Sequence, residues 1–221
     1  VHLSDRAYTQ LKRLILSRPA NADEALSERA LANQLSMSRV PVREAIKALE
    51  SEGILVVLPR RGIHVRRLTI AQVRELYDVR EALEGMAARL CAERGGHEAM
   101  RACRRKLENL AQARPLDHAA IQRSSAAFHR TLFQLCGNAQ LRSMYRAIEP
   151  QIALNLRLTA LHDHDRIEQA VHEHIAVAKA IEAGNGRRAE ALTRRHMQNG
   201  KRARIRILRA RARERALEGL S

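Results

Sequence analysis

Tryptophan is absent, and two Phe and three Tyr bring the aromatic content to only 2%. A stacking platform for single-stranded nucleic acid therefore has almost nothing to be built from. Cysteine is scarce too: Cys91, Cys103 and Cys136 are scattered and odd in number. They make neither a metal pair nor a disulfide framework, which points to a reducing compartment and a cytoplasmic protein. No apolar run approaches membrane-spanning length, so no membrane partner is expected. No signal peptide is visible, although the first residue is Val. Acidic residues are in deficit, 24 against 40 Lys and Arg, leaving a formal charge of +16. Such a field attracts polyanions, nucleic acid first and an anionic membrane surface second. What is plentiful is apolar and helix-forming: 45% hydrophobic residues supply a real core, and Ala, Leu, Arg and Glu dominate. The 221 residues allow one large domain or two small ones.

The charge is uneven. Residues 1–66 and 67–193 carry +4 each, and residues 194–221 carry +8 in the run KRARIRILRARARERA and its flanks. DNA reading by the first segment must therefore rest on a motif rather than on bulk charge.

That motif is present. Tyr8, Leu11, Leu14 and Ile15 follow helical spacing and predict an amphipathic helix over Asp5 to Ser17, broken by Pro19–Ala25. Ser27 is placed to cap a short second helix carrying Leu31 and Leu35 on one face. After the turn Ser36-Met37-Ser38, Ser38 is placed to cap a third helix. Pro41 lies in its first turn, where a missing N–H is harmless. Val42, Ala45, Ile46 and Leu49 form its apolar stripe, and Gly53 ends it. Two short helices joined by a tight turn make a helix-turn-helix. Arg39 and Arg43 lie one turn apart at the start of the second member, the end such helices present to DNA. In ILVVLPRRGIHV, two β-branched runs flank Pro59-Arg60-Arg61-Gly62, a hairpin with two cations at its tip. It reads either as a DNA-reaching wing or as a surface hairpin with solvated charges.

The run LSERALANQLSMSRVPVREAIKALESEGILVVLPRRGIHV resembles the winged helix of GntR-type bacterial transcription regulators, over about residues 5–66. The resemblance implies DNA contacts from Arg29, Ser38, Arg39, Val40 and Arg43, and from Arg61-Gly62 at the wing tip.

From residue 67 onward the pattern is helical. Thr69 is placed to cap a long helix with the stripe Leu76, Val79, Leu83, Met86, Ala87 and Leu90, ending at Gly95-Gly96. A second helix carries Leu107 and Leu110. A third runs from about Asp117 to Cys136, a fourth from Ala139 to His162, a fifth from Arg166 to Ala183. A sixth starts near Arg187, enters the basic tail and continues past Lys201, since Ala and Arg both favour helix. The fold class is therefore mainly α: an N-terminal winged helix-turn-helix (residues 1–66) plus a C-terminal antiparallel six-helix bundle (residues 67–221).

Histidines carry the chemistry of the second part. His129 shares a helical face with Ser125, Leu132 and Cys136; His174 with Val171, Ala178 and Ile181; His196 with Ala189 and Leu192. Three inward imidazoles on three helices are what a metal site in a bundle requires. The bland alternative is three ordinary, partly buried histidines. His172 should point elsewhere, and His162 and His164 fall in a loop. Arg80 sits at the edge of the first helix's stripe. Glu84, four residues on, is its structural partner; an effector carboxylate is the functional alternative.

LYDVREALEGMAARL, AAFHRTLFQLCGNAQL and HEHIAVAKAIEAGN followed by RRH resemble the FCD effector domain of the FadR subfamily, VanR-like branch. The resemblance implies a divalent transition metal, Zn or Ni, on His129, His174 and His196. Ser125 stands where the family has Asp or Asn, which removes an anionic oxygen and leaves positions open to water or to an effector's carboxylate. It also implies Arg80 and Ser125 at the effector, which is a small organic acid. The function expected is a ligand-responsive, sequence-specific regulator, a repressor, that binds double-stranded operator DNA as a homodimer and is not an enzyme. The alternatives are a metal-dependent hydrolase using the three histidines and a non-specific nucleic-acid-binding protein driven by the tail. Glu173 beside His174 is no compelling general base, because it points about 100° away on the helix.

Overall fold

A computed structural model describes residues 3–18, 24–95, 97–159 and 164–218, with the side chains of 157–159, 164 and 215–218 left aside. Residues 19–23 of the expected break, Gly96, His162 and the side chain of Leu217 lie outside the described residues. The chain divides into two compact units, residues 1–68 with 147–158, and residues 69–146 with 159–221. The first therefore takes in a segment far along the chain that the sequence boundary at residue 66 does not include.

In the first unit, α1 (Leu3–Ser17) buries Ala7, Leu11 and Ile15, one per turn. Next, α2 (Glu28–Leu35) starts at Ser27, whose side chain accepts from Ala30 N. It ends at Ser36, which takes a left-handed conformation with φ 51°. Ser38 precedes α3 (Arg39–Ser51) at the N-cap position, but its hydroxyl makes no capping hydrogen bond. The residue is exposed instead. Strands β1 (Leu55–Leu58) and β2 (Gly62–Val65) pair antiparallel with Leu58 opposite Gly62. At the tip, Arg60 and Gly62 both have positive φ, 61° and 87°. A Cβ on Gly62 would stand 3.1 Å from Leu26 O, so the hairpin requires glycine there. Leu26 and Ile63 exchange both backbone hydrogen bonds, at 2.7 and 2.9 Å, tying β2 to the approach to α2. Leu11, Leu31, Leu49, Ile54 and Ile63 share one core with Leu154, from the 147–158 segment.

The second unit is helical throughout its described residues: α4 (Ile70–Glu93), α5 (His97–Gln112), α6 (His118–Leu135), α7 (Ala139–Thr159, shared with the first unit), α8 (His164–Glu182) and α9 (Gly186–Glu218). Thr69 and Gln72 make a full capping box ahead of α4, and Asp117 caps α6 by accepting from Ala120 N at 2.8 Å. Against expectation, α8 begins at His164 rather than after it. As expected, α9 runs straight through the Arg-Ala alternation.

The stripe of α4 differs from the sequence reading. Val79 and Met86 are 47% and 38% exposed, whereas Tyr77, Arg80, Glu84 and Ala88 are buried. The reason is that α4 packs against α6, α8 and α9 together. Its buried face therefore takes in Leu76 and Tyr77 together with small residues and the pair Arg80 and Glu84, and leaves Val79 and Met86 outside. No helix among the described residues is long and apolar enough to cross a membrane.

Candidate functional site

Two sets of residues stand out, one in each unit. In the first unit, Arg29, Ser38, Arg39, Val40 and Arg43 are all exposed, and Val40 reaches 69%. Val40 follows Arg39 directly and lies three residues before Arg43. Arg60 and Arg61 at the hairpin tip are exposed as well.

Sequence reasoning missed what holds the two α3 arginines. Glu28, the first residue of α2, accepts from Arg39 Nε at 2.9 Å and from Arg43 Nε and Nη2 at 2.9 Å each. Hydrogen bonds from Arg43 and then Arg39, outweighing the opposing effect of burial, hold the Glu28 carboxyl at about 2. Each guanidinium is thus pinned along one edge while the side chain stays on the surface. The signal lay in Glu28-Arg29: two adjacent helical residues of opposite charge, one turned to α3 and one to solvent.

In the second unit, His129 (α6), His174 (α8) and His196 (α9) are all buried and converge. His174 Nε2 lies 3.1 Å from His129 Nε2 and 3.0 Å from His196 Nε2. His172 is exposed and takes no part. The outward nitrogens meet carboxylates. His129 Nδ1 and Glu84 Oε2 are 2.5 Å apart, and His196 Nδ1 and Glu173 Oε2 likewise 2.5 Å. The second contact is a hydrogen bond, whereas the first brings the two atoms together without one. Glu173 also accepts from Arg166 Nη2 and from Asn199 Nδ2, each at 2.7 Å. Glu173 therefore points away from His174, as expected, but serves the histidine of the next helix.

The hydrogen bond to Glu173 orients the His196 ring. A carboxylate beside Nδ1 favours hydrogen on that nitrogen and leaves Nε2 as a lone pair. His196 then aims a lone pair at His174 Nε2, which also faces His129 Nε2 and has at most one hydrogen to offer. His174 Nδ1 is buried without a hydrogen-bond partner. Burial, followed by His196 and His129, pushes His174 well below its ordinary value, and burial above all takes His196 down to about 4. Three buried imidazoles whose nitrogens face one another are a site that could hold a cation. The two spacings from His174 fit: metal–nitrogen bonds of about 2.0–2.1 Å place neighbouring nitrogens about 2.9–3.4 Å apart at angles between octahedral and tetrahedral, and all three ligand atoms lie within 4.8 Å of one another. The donor set would hold a borderline ion such as Zn²⁺ or Ni²⁺. Ser125, one turn before His129, is half-buried and adds no charge.

Arg80 is committed to a partner. Its Nε donates to Glu84 Oε1 at 2.8 Å, with the side chains 4% and 0% exposed. Burial pushes the Glu84 carboxyl up, but Arg80 and His129 together bring it down to about 2. Glu84 thus links a buried cation to one imidazole of the cluster.

Comparison with known proteins agrees with both units. Residues 75–199 match the FCD domain family. Residues 3–65 match the family described as bacterial regulatory proteins, gntR family. The uncharacterized HTH-type transcriptional regulator YdhC of Bacillus subtilis (strain 168) is 28% identical over 180 residues, 80% of each chain. A protein of Paenarthrobacter nicotinovorans, named as probable D-xylose utilization operon transcriptional repressor, is 31% identical over 177 residues, 75% of this chain and 73% of that one. Among solved structures, E. coli McbR/YncC superposes with a TM-score of 0.73 over 90% of this chain and 95% of its own, at 23% identity, a likeness of fold.

Proposed function

The chain belongs to the GntR family of bacterial regulatory proteins and carries an FCD domain, and from that premise we propose that it is a ligand-responsive repressor of transcription rather than an enzyme. The observation that carries the reading is the pair Arg39 and Arg43, exposed at the start of α3 and oriented by Glu28. Arg29, Ser38, Val40 and the wing residues Arg61 and Gly62 complete the surface offered to operator DNA. Base edges in the major groove are read by such guanidinium groups and by apolar contact from Val40, and phosphates by the groups that donate hydrogen bonds.

Domain roles follow: residues 1–66 bind DNA, and residues 67–221 sense an effector and dimerise in the cytoplasm. His129, His174 and His196 hold a divalent transition metal, which supplies a Lewis-acidic centre for a small organic acid. With His129, His174 and His196 as ligands and Ser125 adding no charge, a bound ion would supply Lewis acidity toward the effector's own oxygens. Arg80 reaches that acid only by exchanging Glu84 for the incoming carboxylate. Two copies pair because one winged helix reads only a half-site. An exposed apolar line on α4 (Val79 and Met86, with Leu83 and Leu90 half-exposed) suits that role.

Selection of bound sequences from a random duplex library tests the reading. Wild-type protein should enrich a palindromic site, and the Arg39→Ala, Arg43→Ala double variant should enrich none. A wild-type protein that enriches no sequence would overturn it.

A further inference from the structure

One charged surface plays no part in either candidate site. Along α9, Arg188, Arg195, Arg202 and Arg209 recur every seven residues, with Arg213 beside them, and all five are exposed. At 100° per residue they fall within an arc of about 60° and run for about 37 Å. The face of α9 that packs into the unit, with Ala189, His196, Ala203 and Ile207 buried, lies about a third of a turn away.

The stripe has no acid in it. Between residues 186 and 213 the single acidic residue is Glu190. It is engaged by Arg194 at 2.9 Å and Arg89 at 3.6 Å. Asp78 of α4, which faces the middle of α9, is taken by Lys201 at 2.6 Å. Like charges at four-residue spacing, Arg209 with Arg213, oppose the helix that carries them. A rigid row of guanidinium groups that repel one another is matched by a row of anions.

We propose that the exposed arginine face of α9 is a second, sequence-independent contact for the phosphate backbone of duplex DNA, in the second unit and separate from the winged helix. Guanidinium groups pair with phosphates in forked geometry, and a straight helix can place several of them along one duplex. Single strands are the poorer fit, since the chain has few aromatics to stack on bases. An anionic membrane surface fits less well too, because the apolar face of α9 is packed within its unit and cannot insert. The inference rests on the DNA-binding reading above, but its test needs no operator.

The full chain is titrated against a random-sequence duplex across a series of salt concentrations. It is compared with a quadruple variant R188Q/R202Q/R209Q/R213Q and with the corresponding Arg→Lys quadruple. Glutamine keeps helix propensity and lysine keeps charge, and circular dichroism checks that both fold. The expected result is a weaker Gln variant whose slope of log affinity against log salt falls by about 0.9 for each phosphate left unpaired. The Lys variant should keep the slope. An unchanged slope in the Gln variant overturns the proposal, as does a Lys variant whose slope falls as far as that of the Gln one. A third overturning result is loss of binding to phosphatidylglycerol vesicles with the DNA slope intact, which would assign the face to a membrane. If instead wild type selects no sequence from a library while the slope of the Gln variant falls, the winged-helix reading fails and the arginine face stands.

Discussion

Arg80 and Glu84 form an ion pair one helical turn apart, 2.8 Å between Nε and Oε1, in which both side chains are buried. Each needs the other, because an isolated charge at that depth would be left without solvent or counter-ion. Arg80→Ala should destabilise the folded protein by about 3–5 kcal/mol, the usual cost of orphaning a buried partner. Arg80→Met with Glu84→Gln removes both charges and should recover at least half of that loss. Urea denaturation of the metal-free protein measures both. Equal stability of Arg80→Ala and wild type would mean that the pair does not form.

The metal reading has its own measurement. Elemental analysis of purified protein should find one divalent transition metal per chain, and His174→Ala should abolish it. Glu173→Gln removes the carboxylate that orients His196 and should weaken metal affinity by about 10- to 100-fold, as loss of a ligand's supporting partner commonly does. Ser125→Asp should strengthen affinity by adding an anionic oxygen one turn before His129. Equal metal content in wild type and His174→Ala would place the ion elsewhere.

These residues differ in how visible they are from sequence. The three histidines are legible because each falls on an apolar helical stripe, and a 3.6-residue period needs no knowledge of the neighbours. Helix limits are legible from Thr69, Asp117, Ser27 and the glycines, since capping is local chemistry. Contact between elements is not. On its own helix Glu173 simply turns away from His174, whereas its partner His196 comes from α9. A stripe drawn through Val79 and Met86 takes apolar size as the guide to burial and leaves Arg80 at its edge. In α4 small and paired residues are buried and those two are exposed. Residues 147–158 pack with the first unit although nothing in their composition marks them.

Glu28 offers a prediction about DNA reading. It fixes Arg39 and Arg43 through three hydrogen bonds on an exposed surface. Glu28→Gln removes its charge and frees both guanidinium groups to wander. Affinity for random-sequence duplex should rise, because one negative charge near phosphates is gone. Preference for the selected site should fall, by about 1–3 kcal/mol for each base edge no longer read. Competition between the selected duplex and a scrambled one reads both effects. A variant that keeps full discrimination would show that Glu28 does not orient the arginines in the complex.

The exposed line on α4 leads to the assembly. Val79, Leu83, Met86 and Leu90 are spaced so that they fall on one side of the helix, and Val79 and Met86 retain 47% and 38% of their accessible surface. In an isolated chain that surface is wetted at a cost that burial against a second copy would remove, at about 25 cal/mol per Å². A two-fold interface brings the same residues from both chains together, so one substitution acts twice. Val79→Glu places two carboxylates in that apolar contact, and Met86→Glu does the same further along the helix. Sedimentation velocity should therefore find wild type as a dimer and the double variant Val79→Glu, Met86→Glu as a monomer with unchanged helix content. Its affinity for a palindromic duplex should drop toward that for a single half-site. Should the double variant sediment as a dimer, the chains pair through another face, and the exposed apolar line on α4 would not be where the two half-site readers are joined.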